Sequence, residues 1–375
     1  MKTDPHQMTI DQAISNRPIS HGEQVGWDEE LPPPAPNVYE PVRARNFERD
    51  QVLVVVDARH ACYRAYYTRE LSSSAGEVTS CLHGVLEMTR SICEAANTRR
   101  WVLCWDGNLD YKRRLHPVYK KRHDRSLTLE EQEERIKREK AIAMVKEFMD
   151  RAGAPSIHIE DAEADDAAGI AATMWSESLA ARKVCKDPKV ILLTDDKDYY
   201  QLIGPRIMVW RGVMRQLVDE AAFVSLHGFS PPRYADYKAL VGEPETGDNI
   251  PGIAKVGHET ACKLIGTHGT IYNVIAYCER QVAEVKKPRV IELNINKGRA
   301  DALLSLRLSS IARTVADLKV LGCDAEKAEA AVKKGLNLAC KTSRPVGDVK
   351  PVLAKLGFVS LDFPRWLSAC GFAGG

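Results

Sequence analysis

The chain lacks the features that mark several large classes of protein. No apolar run approaches the ~20 residues that cross a bilayer, and the polar N-terminal segment has no apolar core of the secretory type. There is no G-x-S-x-G turn and no Walker loop, and the 10 cysteines include no C-x-x-C pair. We therefore expect no membrane association, no disulfide framework and no structural zinc site, but an intracellular, cytoplasmic protein with reduced thiols (in the host cytoplasm if the source is viral).

A strong excess of charge of one sign is also missing. The 375 residues include 53 lysines and arginines against 51 acidic residues, a net charge of +2, so any basic surface must be local.

At ~150 residues per domain, the length predicts two or three domains. The composition along the chain predicts an extended or disordered Pro-rich arm (1–46), an α/β domain (47–230), a helical subdomain (231–320) and a C-terminal extension (321–375).

Strand and helix patterns alternate after the Pro-rich arm. Continuous apolar runs at 51–57, 101–105 and 190–193 are typical of strands buried on both faces of a parallel sheet, and 157–159 is a shorter candidate. Helical patterns separate them, at 80–96 and 130–150. The fold class is therefore α/β, with a mostly parallel central sheet and helices on both faces. After Ser230 the pattern changes to short glycine-punctuated helices, followed by a helix-prone stretch from 300 to 318.

Acidic side chains follow each of these strands. Because parallel strands end at one edge of the sheet, the carboxylates should converge there; they are Asp57, Asp106, Glu163, Asp165, Asp166, Asp196 and Asp198. One such aspartate alone is more often a helix cap or turn residue. The repeated placement instead predicts a site for hard divalent cations, because unneutralised carboxylates would repel one another. An all-oxygen ligand set without a histidine or cysteine cluster favours two or more Mg²⁺ or Mn²⁺ ions, the arrangement that hydrolyses phosphodiesters.

A local basic segment directly follows Asp106. Residues 111–125 contain seven lysines and arginines and one aspartate, which predicts a phosphate-binding surface, with Tyr111 and Tyr119 available to stack on unpaired bases. A second element, Gly252 to Gly257 with Lys255 between them, opens into a helix. Glycines allow close backbone approach and a helix N-terminus offers free amides, so we interpret this turn as a phosphate-binding hairpin; an ordinary packing corner is the alternative.

Five segments together resemble the motif series of the 5′-3′ exonuclease and flap endonuclease family, which includes the 5′-nuclease domain of bacterial DNA polymerase I and stand-alone bacteriophage enzymes. The resemblance extends over residues 52–318, and the segments are 56–66, 105–107, 163–166, 194–202 and 247–253. It implies a PIN-like 5′-nuclease fold, metal-ligand or metal-proximal roles for the seven carboxylates and Asp248, and a helix-hairpin element that often binds K⁺.

The same resemblance implies roles for basic residues. Lys120, in the P-x-Y-K match, and Arg64 would steer and neutralise the scissile phosphate beside catalytic Asp57 and Asp106, and Tyr119 and Arg122 would contact substrate. The family usually has an arginine where this chain has His123.

The loop before Asp248 also departs from the family pattern. Where the family reads G-D-x-x-D-N, this chain is two residues longer, so that either Glu243 or Glu245 could fill the vacant ligand position. Pro244 stiffens the loop and makes it difficult for both to point inward. The offset from Asp248 favours Glu245.

The resulting functional hypothesis is a monomeric, structure-specific 5′ nuclease of DNA replication or repair, acting at 5′ flaps, nicks and free 5′ ends, with RNA primers as a further candidate substrate. A PIN-like ribonuclease would share the acidic sheet edge but normally lacks the hairpin. A catalytically idle protein that binds branched DNA is the third hypothesis, and the complete acidic set argues against it.

Overall fold

A computed structural model describes residues 46–373, except 69, 74–75, 122–126, 178–182, 184, 213–215, 244–247 and 357–361. The predicted N-terminal arm therefore lies outside the described residues, apart from its last residue. Within the described residues no helix has both the length and the apolar character that a membrane crossing requires.

The core of the molecule is a six-stranded sheet. Its strands are β1 (Val52–Asp57), β2 (Trp101–Trp105), β3 (Ser156–His158), β4 (Lys189–Leu193), β5 (Ile207–Arg211) and β6 (Gln216–Val218). Their spatial order is β3-β2-β1-β4-β5-β6. The first five strands are mutually parallel, and β6 runs antiparallel to β5 at the edge. The predicted mostly parallel sheet is thus confirmed.

Helices cover both faces of this sheet and form the region after it. In the sheet-containing part they are α1 (Ala58–Thr68), α2 (Ser80–Ala95), α3 (Asp110–Leu115), α4 (Leu129–Ala152), α5 (Ala164–Glu177) and α6 (Glu220–His227), with a 3-10 helix at Lys197–Leu202. The helical subdomain contains a 3-10 turn (Pro231–Arg233), α7 (Tyr234–Val241), α8 (His258–His268), α9 (Ile271–Glu284), α10 (Val290–Lys297), α11 (Arg299–Ser309) and α12 (Val315–Val320).

Local signals set the ends of the long helix α4. A capping box joins Thr128 and Glu131 at its start, and Gly153 ends it in the left-handed region at φ 72°.

Alternate residues of the central strands face opposite sides of the sheet. Leu53 and Val55 belong to one hydrophobic core, and Val54 and Val56 belong to the other. The first core continues into the helical subdomain, which fixes that subdomain against the sheet.

The C-terminal region packs against the sheet-containing domain. It comprises α13 (Ala325–Ala339), β7 (Arg344–Pro345), α14 (Lys350–Leu356), α15 (Phe363–Ala369) and β8 (Phe372–Ala373). Trp366 has no exposed surface; its indole N–H donates to Thr89 Oγ1 at 3.0 Å, and its ring lies edge-on to Trp101 at 6.1 Å. Burial of an aromatic side chain of this size contributes about 3 kcal/mol. Helix α15 is therefore part of the second core, whereas α13 contributes Val332 and Ala339 to the first.

Candidate active site

The site lies where the order of the strands reverses. From β1 the chain continues to β2 and β3 on one side, and later returns to β4 and β5 on the other. Ligands of open α/β sheets bind outside the carboxyl ends of the strands at this point. Asp57 is the last residue of β1, Asp106 directly follows β2, and Asp196 is the third residue after β4. The topology thus places three predicted ligands at one edge.

Neighbouring groups fix the two carboxylates at the centre of this edge. Asp57 accepts hydrogen bonds from the His60 amide at 2.9 Å and from the Tyr199 hydroxyl at 3.0 Å. Asp106 accepts one from the Ala164 amide at the start of α5, at 3.0 Å. Burial and the nearby carboxylate of Asp106 raise the pKa of Asp57. The negative charge of Asp57 is therefore only partly compensated by the protein.

The segment after β4 contributes a second pair. Asp196 is the N-cap of the 3-10 helix, and its Oδ1 accepts the Asp198 amide at 2.8 Å. Burial, followed by the charge of Asp198, raises the pKa of Asp196 to about 7. Burial also raises the pKa of Asp165 and of Asp248, and other carboxylates of the site contribute to both shifts. Such a set favours a bound cation, and its oxygen-only donors fit Mg²⁺ or Mn²⁺.

Glu163 differs from these carboxylates because the protein already neutralises it. Its oxygens accept from the ammonium groups of Lys112 and Lys120 and, at 3.1 Å, from the Tyr119 hydroxyl. Burial alone would raise its pKa, but Lys112 and then Lys120 lower that pKa to about 2. Glu163 and Lys112 are 2 % exposed each. Glu163 therefore anchors the basic segment beside the acidic edge.

Three further predicted site residues are buried. Asp166, predicted as a metal-ligand or metal-proximal residue, has no exposed surface, and its oxygens accept from the Tyr111 hydroxyl and from the Ala312 amide. It thereby joins α5 to the helical subdomain. Tyr111 and Tyr119 were predicted to stack on bases, but they are 2 % and 3 % exposed, because their hydroxyls reach inward to carboxylates. The prediction of base stacking is wrong for both rings.

Arg64 lies at the other side of the site. Its Nη1 is 3.3 Å from Asp195 Oδ2, and His60 Nε2 is 3.8 Å from the same oxygen. A Cβ on Gly212 would come within 1.5 Å of Arg64 Nη1, so the absence of a side chain at Gly212 makes room for this guanidinium. Sequence reasoning identified Arg64 but missed Asp195, which holds it.

A buried lysine sits among the carboxylates predicted for the second ion. Lys238 Nζ is 2.9 Å from Asp198 Oδ1 and also contacts Glu243. Burial opposes its charge, but Asp198 and Glu243 together raise its pKa. Glu245, the favoured ligand, lies outside the described residues. Glu243 is therefore paired with the buried ammonium group of Lys238. Sequence reasoning missed Lys238 because a lysine within an apolar helix pattern resembles an exposed position.

The hairpin predicted to bind phosphate has a close backbone contact at its base. Gly242 and Gly252 have φ values of 61° and 63°, and a Cβ on either would come within 2.7 Å of the other's backbone. Lys255 is exposed, in the left-handed region at φ 67°, and Gly257 is the N-cap of α8. These features present Lys255 and the α8 N-terminus together on the surface. Arg122, predicted to contact substrate, lies outside the described residues.

Comparisons with known proteins agree with this architecture. Residues 52–228 match the family model "5'-3' exonuclease, N-terminal resolvase-like domain", and residues 229–331 match "5'-3' exonuclease, C-terminal SAM fold". A 5'-3' exonuclease of Aquifex aeolicus is 26% identical over 248 residues, which cover 66% of this chain and 80% of that protein.

Longer relatives and solved structures also match. The thermostable DNA polymerase I of Thermus thermophilus is 27% identical over 277 residues, 73% of this chain but only 30% of the polymerase. The chain thus matches about a third of that relative's length. The bacteriophage T5 D15 protein, crystallised with metal ions, superposes with a TM-score of 0.62 at 17% identity, over 77% of this chain and 99% of that one, which shows a shared fold. The two matching domain models, in this order along the chain, show that it belongs to the 5′-3′ exonuclease family of nucleases.

Proposed function

We propose that this chain hydrolyses DNA phosphodiester bonds near 5′ ends, flaps and nicks with two divalent cations, Mg²⁺ or Mn²⁺. The observation that carries the proposal is the convergence, at the sheet edge, of carboxylates whose charge the protein only partly neutralises, next to the buried Lys112 and the partly exposed Lys120. The bacteriophage T5 flap endonuclease, which shares the fold, has been crystallised with DNA and metal ions. Membership of the family supports the same substrate class here.

Six of the carboxylates are the proposed ligands of the two ions. Asp57, Asp106 and Asp196 would hold the first ion, and Asp165, Asp198 and Asp248 the second, with Asp198 shared with Lys238. When bound, divalent cations at such a site stabilise developing negative charge and lower the pKa of the attacking water. Lys120, whose side chain is 35% exposed, would reach the scissile phosphate while Glu163 fixes its position. Arg64 would neutralise the same phosphate from the opposite side.

The hairpin would bind the duplex beyond the cleavage position. Its proposed contacts are to phosphates, which DNA and RNA share, so RNA primers are included in the proposed substrate range.

We also propose that K⁺ binds at the backbone of this hairpin and that the protein acts as a monomer in the cytoplasm. The ten cysteines are all free, which supports a reducing compartment.

A substrate panel tests the proposed activity. Duplexes with a 5′ flap, a nick or a free 5′ end, single-stranded DNA and single-stranded RNA, all labelled, would be incubated with the protein with and without Mg²⁺. We expect cleavage near the 5′ end of flap and nicked DNA only with Mg²⁺, with 5′-phosphorylated products. Preferential cleavage of single-stranded RNA would favour the ribonuclease hypothesis, and tight binding of flap DNA without cleavage would favour the idle binding protein.

Two lysines separate chemistry from duplex binding. We expect Lys120→Ala to lower single-turnover cleavage ~100-fold with little change in the Kd for flap DNA, because it removes a charge beside the scissile phosphate. Lys255→Ala should mainly weaken binding and reduce the slope of log K against log salt by about one. Lys333→Ala, at an exposed position of α13, is the matched control and should change neither. If Lys255→Ala bound DNA normally at every salt concentration, the hairpin assignment would fail.

A further inference from the structure

A cluster of two histidines and one cysteine lies between α6, the last helix of the sheet-containing part, and α8 of the helical subdomain, and it includes none of the carboxylates. His227 is the last residue of α6, His258 is the first residue of α8, and Cys262 follows one turn later on α8. One ring nitrogen from each histidine and the Cys262 sulfur all lie within 4.8 Å of one another. Residues four apart share one face of a helix, so His258 and Cys262 necessarily present their ligand atoms to the same neighbour.

The rings are held in place by their surroundings. His227 stacks on Phe223 with centroids 4.4 Å apart, and its ring lies edge-on to that of His258 at 6.1 Å. Cys262 Sγ is 3.7 Å from His258 Nδ1, and the Tyr237 hydroxyl is 3.0 Å from the same nitrogen. All four groups thus come from helices, and a ligand would meet a largely preformed arrangement.

One buried nitrogen of the cluster makes no hydrogen bond within the described part of the chain. The Nδ1 atom of His227 is shielded from solvent and has no hydrogen-bond partner among the residues that the structure describes. Neutral imidazole is the form of histidine that binds metal, and an Nδ1 atom without a hydrogen-bond partner can take that role.

We propose that His227, His258 and Cys262 bind a zinc ion. Two imidazoles and a thiolate are the donors of borderline-soft cations, in contrast to the oxygen-only set at the sheet edge. Zinc bonds of ~2.0–2.3 Å place tetrahedral ligand atoms about 3.3–3.7 Å apart, so the separations of up to 4.8 Å must shorten by about 1.5 Å at most. His258 is exposed and can make this adjustment. Cys262 loses its thiol proton to solvent on binding, and water or the Tyr237 hydroxyl completes the fourth position.

Zinc at this cluster would connect α6 to the start of α8. Because α8 begins at His258, directly after the hairpin, the ion would restrain the element proposed to hold the DNA duplex. The site itself does not depend on the proposed nuclease activity, since none of its ligands belongs to the acidic edge.

Cobalt substitution tests the site in the full-length protein. Saturating Mg²⁺ would first occupy the carboxylates, and one equivalent of Co²⁺ would then be added. We expect a thiolate-to-cobalt charge-transfer band and the strong visible bands of tetrahedral Co²⁺, both bleached by stoichiometric Zn²⁺. Cys262→Ser should abolish the charge-transfer band, whereas Cys278→Ser, a buried cysteine of α9 in the same subdomain, should retain it.

A second variant tests the site independently, in case Cys262→Ser does not fold. His258→Gln changes an exposed ligand and should reduce Co²⁺ affinity by at least ~10-fold while the circular dichroism spectrum stays unchanged. Absence of a charge-transfer band in the wild-type protein, or a band that persists in Cys262→Ser, would overturn the proposal. Unchanged Co²⁺ affinity in His258→Gln would also overturn it.

Discussion

Asp196→Asn should lower the rate of flap cleavage ~10³-fold while leaving the Kd for flap DNA within about threefold of wild type. The side chain lies at the carboxyl end of β4, where burial and Asp198 raise its pKa to about 7. In the proposed site it would provide charge for a cation and not a contact to phosphate. Loss of several kcal/mol of transition-state stabilisation corresponds to this change in rate. Single-turnover kinetics at saturating Mg²⁺ would measure the rate.

The matched control for this variant is Asp150→Asn. Asp150 lies on the exposed end of α4, where it pairs with Lys146, and the same change of charge there should leave cleavage unaltered. Asp196→Asn with near-normal turnover at saturating Mg²⁺ would refute the assignment of the site. Equal losses in both variants would point to an effect of net charge instead.

The second large effect concerns stability. Lys112→Met should lower the free energy of unfolding by about 3 kcal/mol, because it leaves the buried carboxylate of Glu163 with one cationic partner in place of two. Lys112 and Glu163 are both nearly inaccessible to solvent. The expected loss lies at the low end of the range for broken buried pairs, since Lys120 still contacts Glu163. Urea denaturation in metal-free buffer would measure it.

A comparison within the same network distinguishes burial from charge. Lys120→Met removes the half-exposed partner and should cost about 1 kcal/mol or less. The double variant Lys112→Met/Glu163→Gln removes both buried charges and should recover at least half of the loss. If Lys112→Met were as stable as wild type, the pair would not contribute to folding in the manner described.

The sequence predicted the sheet edge well because its signals are local. Each apolar run is short, continuous and followed by an acidic residue, and the rule that parallel strands end at one edge brings Asp57, Asp106 and Asp196 together without knowledge of packing. Strands β5 and β6 were not predicted: Ile207–Arg211 ends in an arginine and is followed by Gly212 instead of an acidic residue, and Gln216–Val218 has only three residues at the edge of the sheet.

The buried cations and tyrosines depend on tertiary contacts, which a single sequence does not encode by spacing. Lys112 and Tyr119 belong to a segment with a charge pattern typical of a solvated surface, yet Glu163 draws both into the interior. In the same way, Lys238 lies within an apolar helix and is held by Asp198. Burial of such groups requires a partner from another element, and that partner is distant in sequence.

The helix-prone stretch 300–318 forms two helices. Helix α11 ends at Ser309, and α12 begins after the Thr314 cap, which accepts the Asp317 amide. The break releases two backbone amides: Ile311 donates to Gln201 Oε1 at 2.9 Å and Ala312 donates to Asp166 at 2.8 Å. These bonds join the helical subdomain to the sheet-containing part, and helix propensity alone does not reveal such a break because its partners are distant in sequence.

The positions of divalent cations in crystals of the full chain soaked in Mn²⁺, located by anomalous scattering, test the proposed metal centre directly. We expect two peaks at the carboxyl ends of β1, β2 and β4, one within ~2.2 Å of oxygens of Asp57 or Asp196 and the other beside Asp198. Under the same conditions Asp196→Asn crystals should lose the first peak. Full nuclease activity together with no Mn²⁺ peak at this edge would contradict the central claim that these carboxylates form the catalytic metal centre.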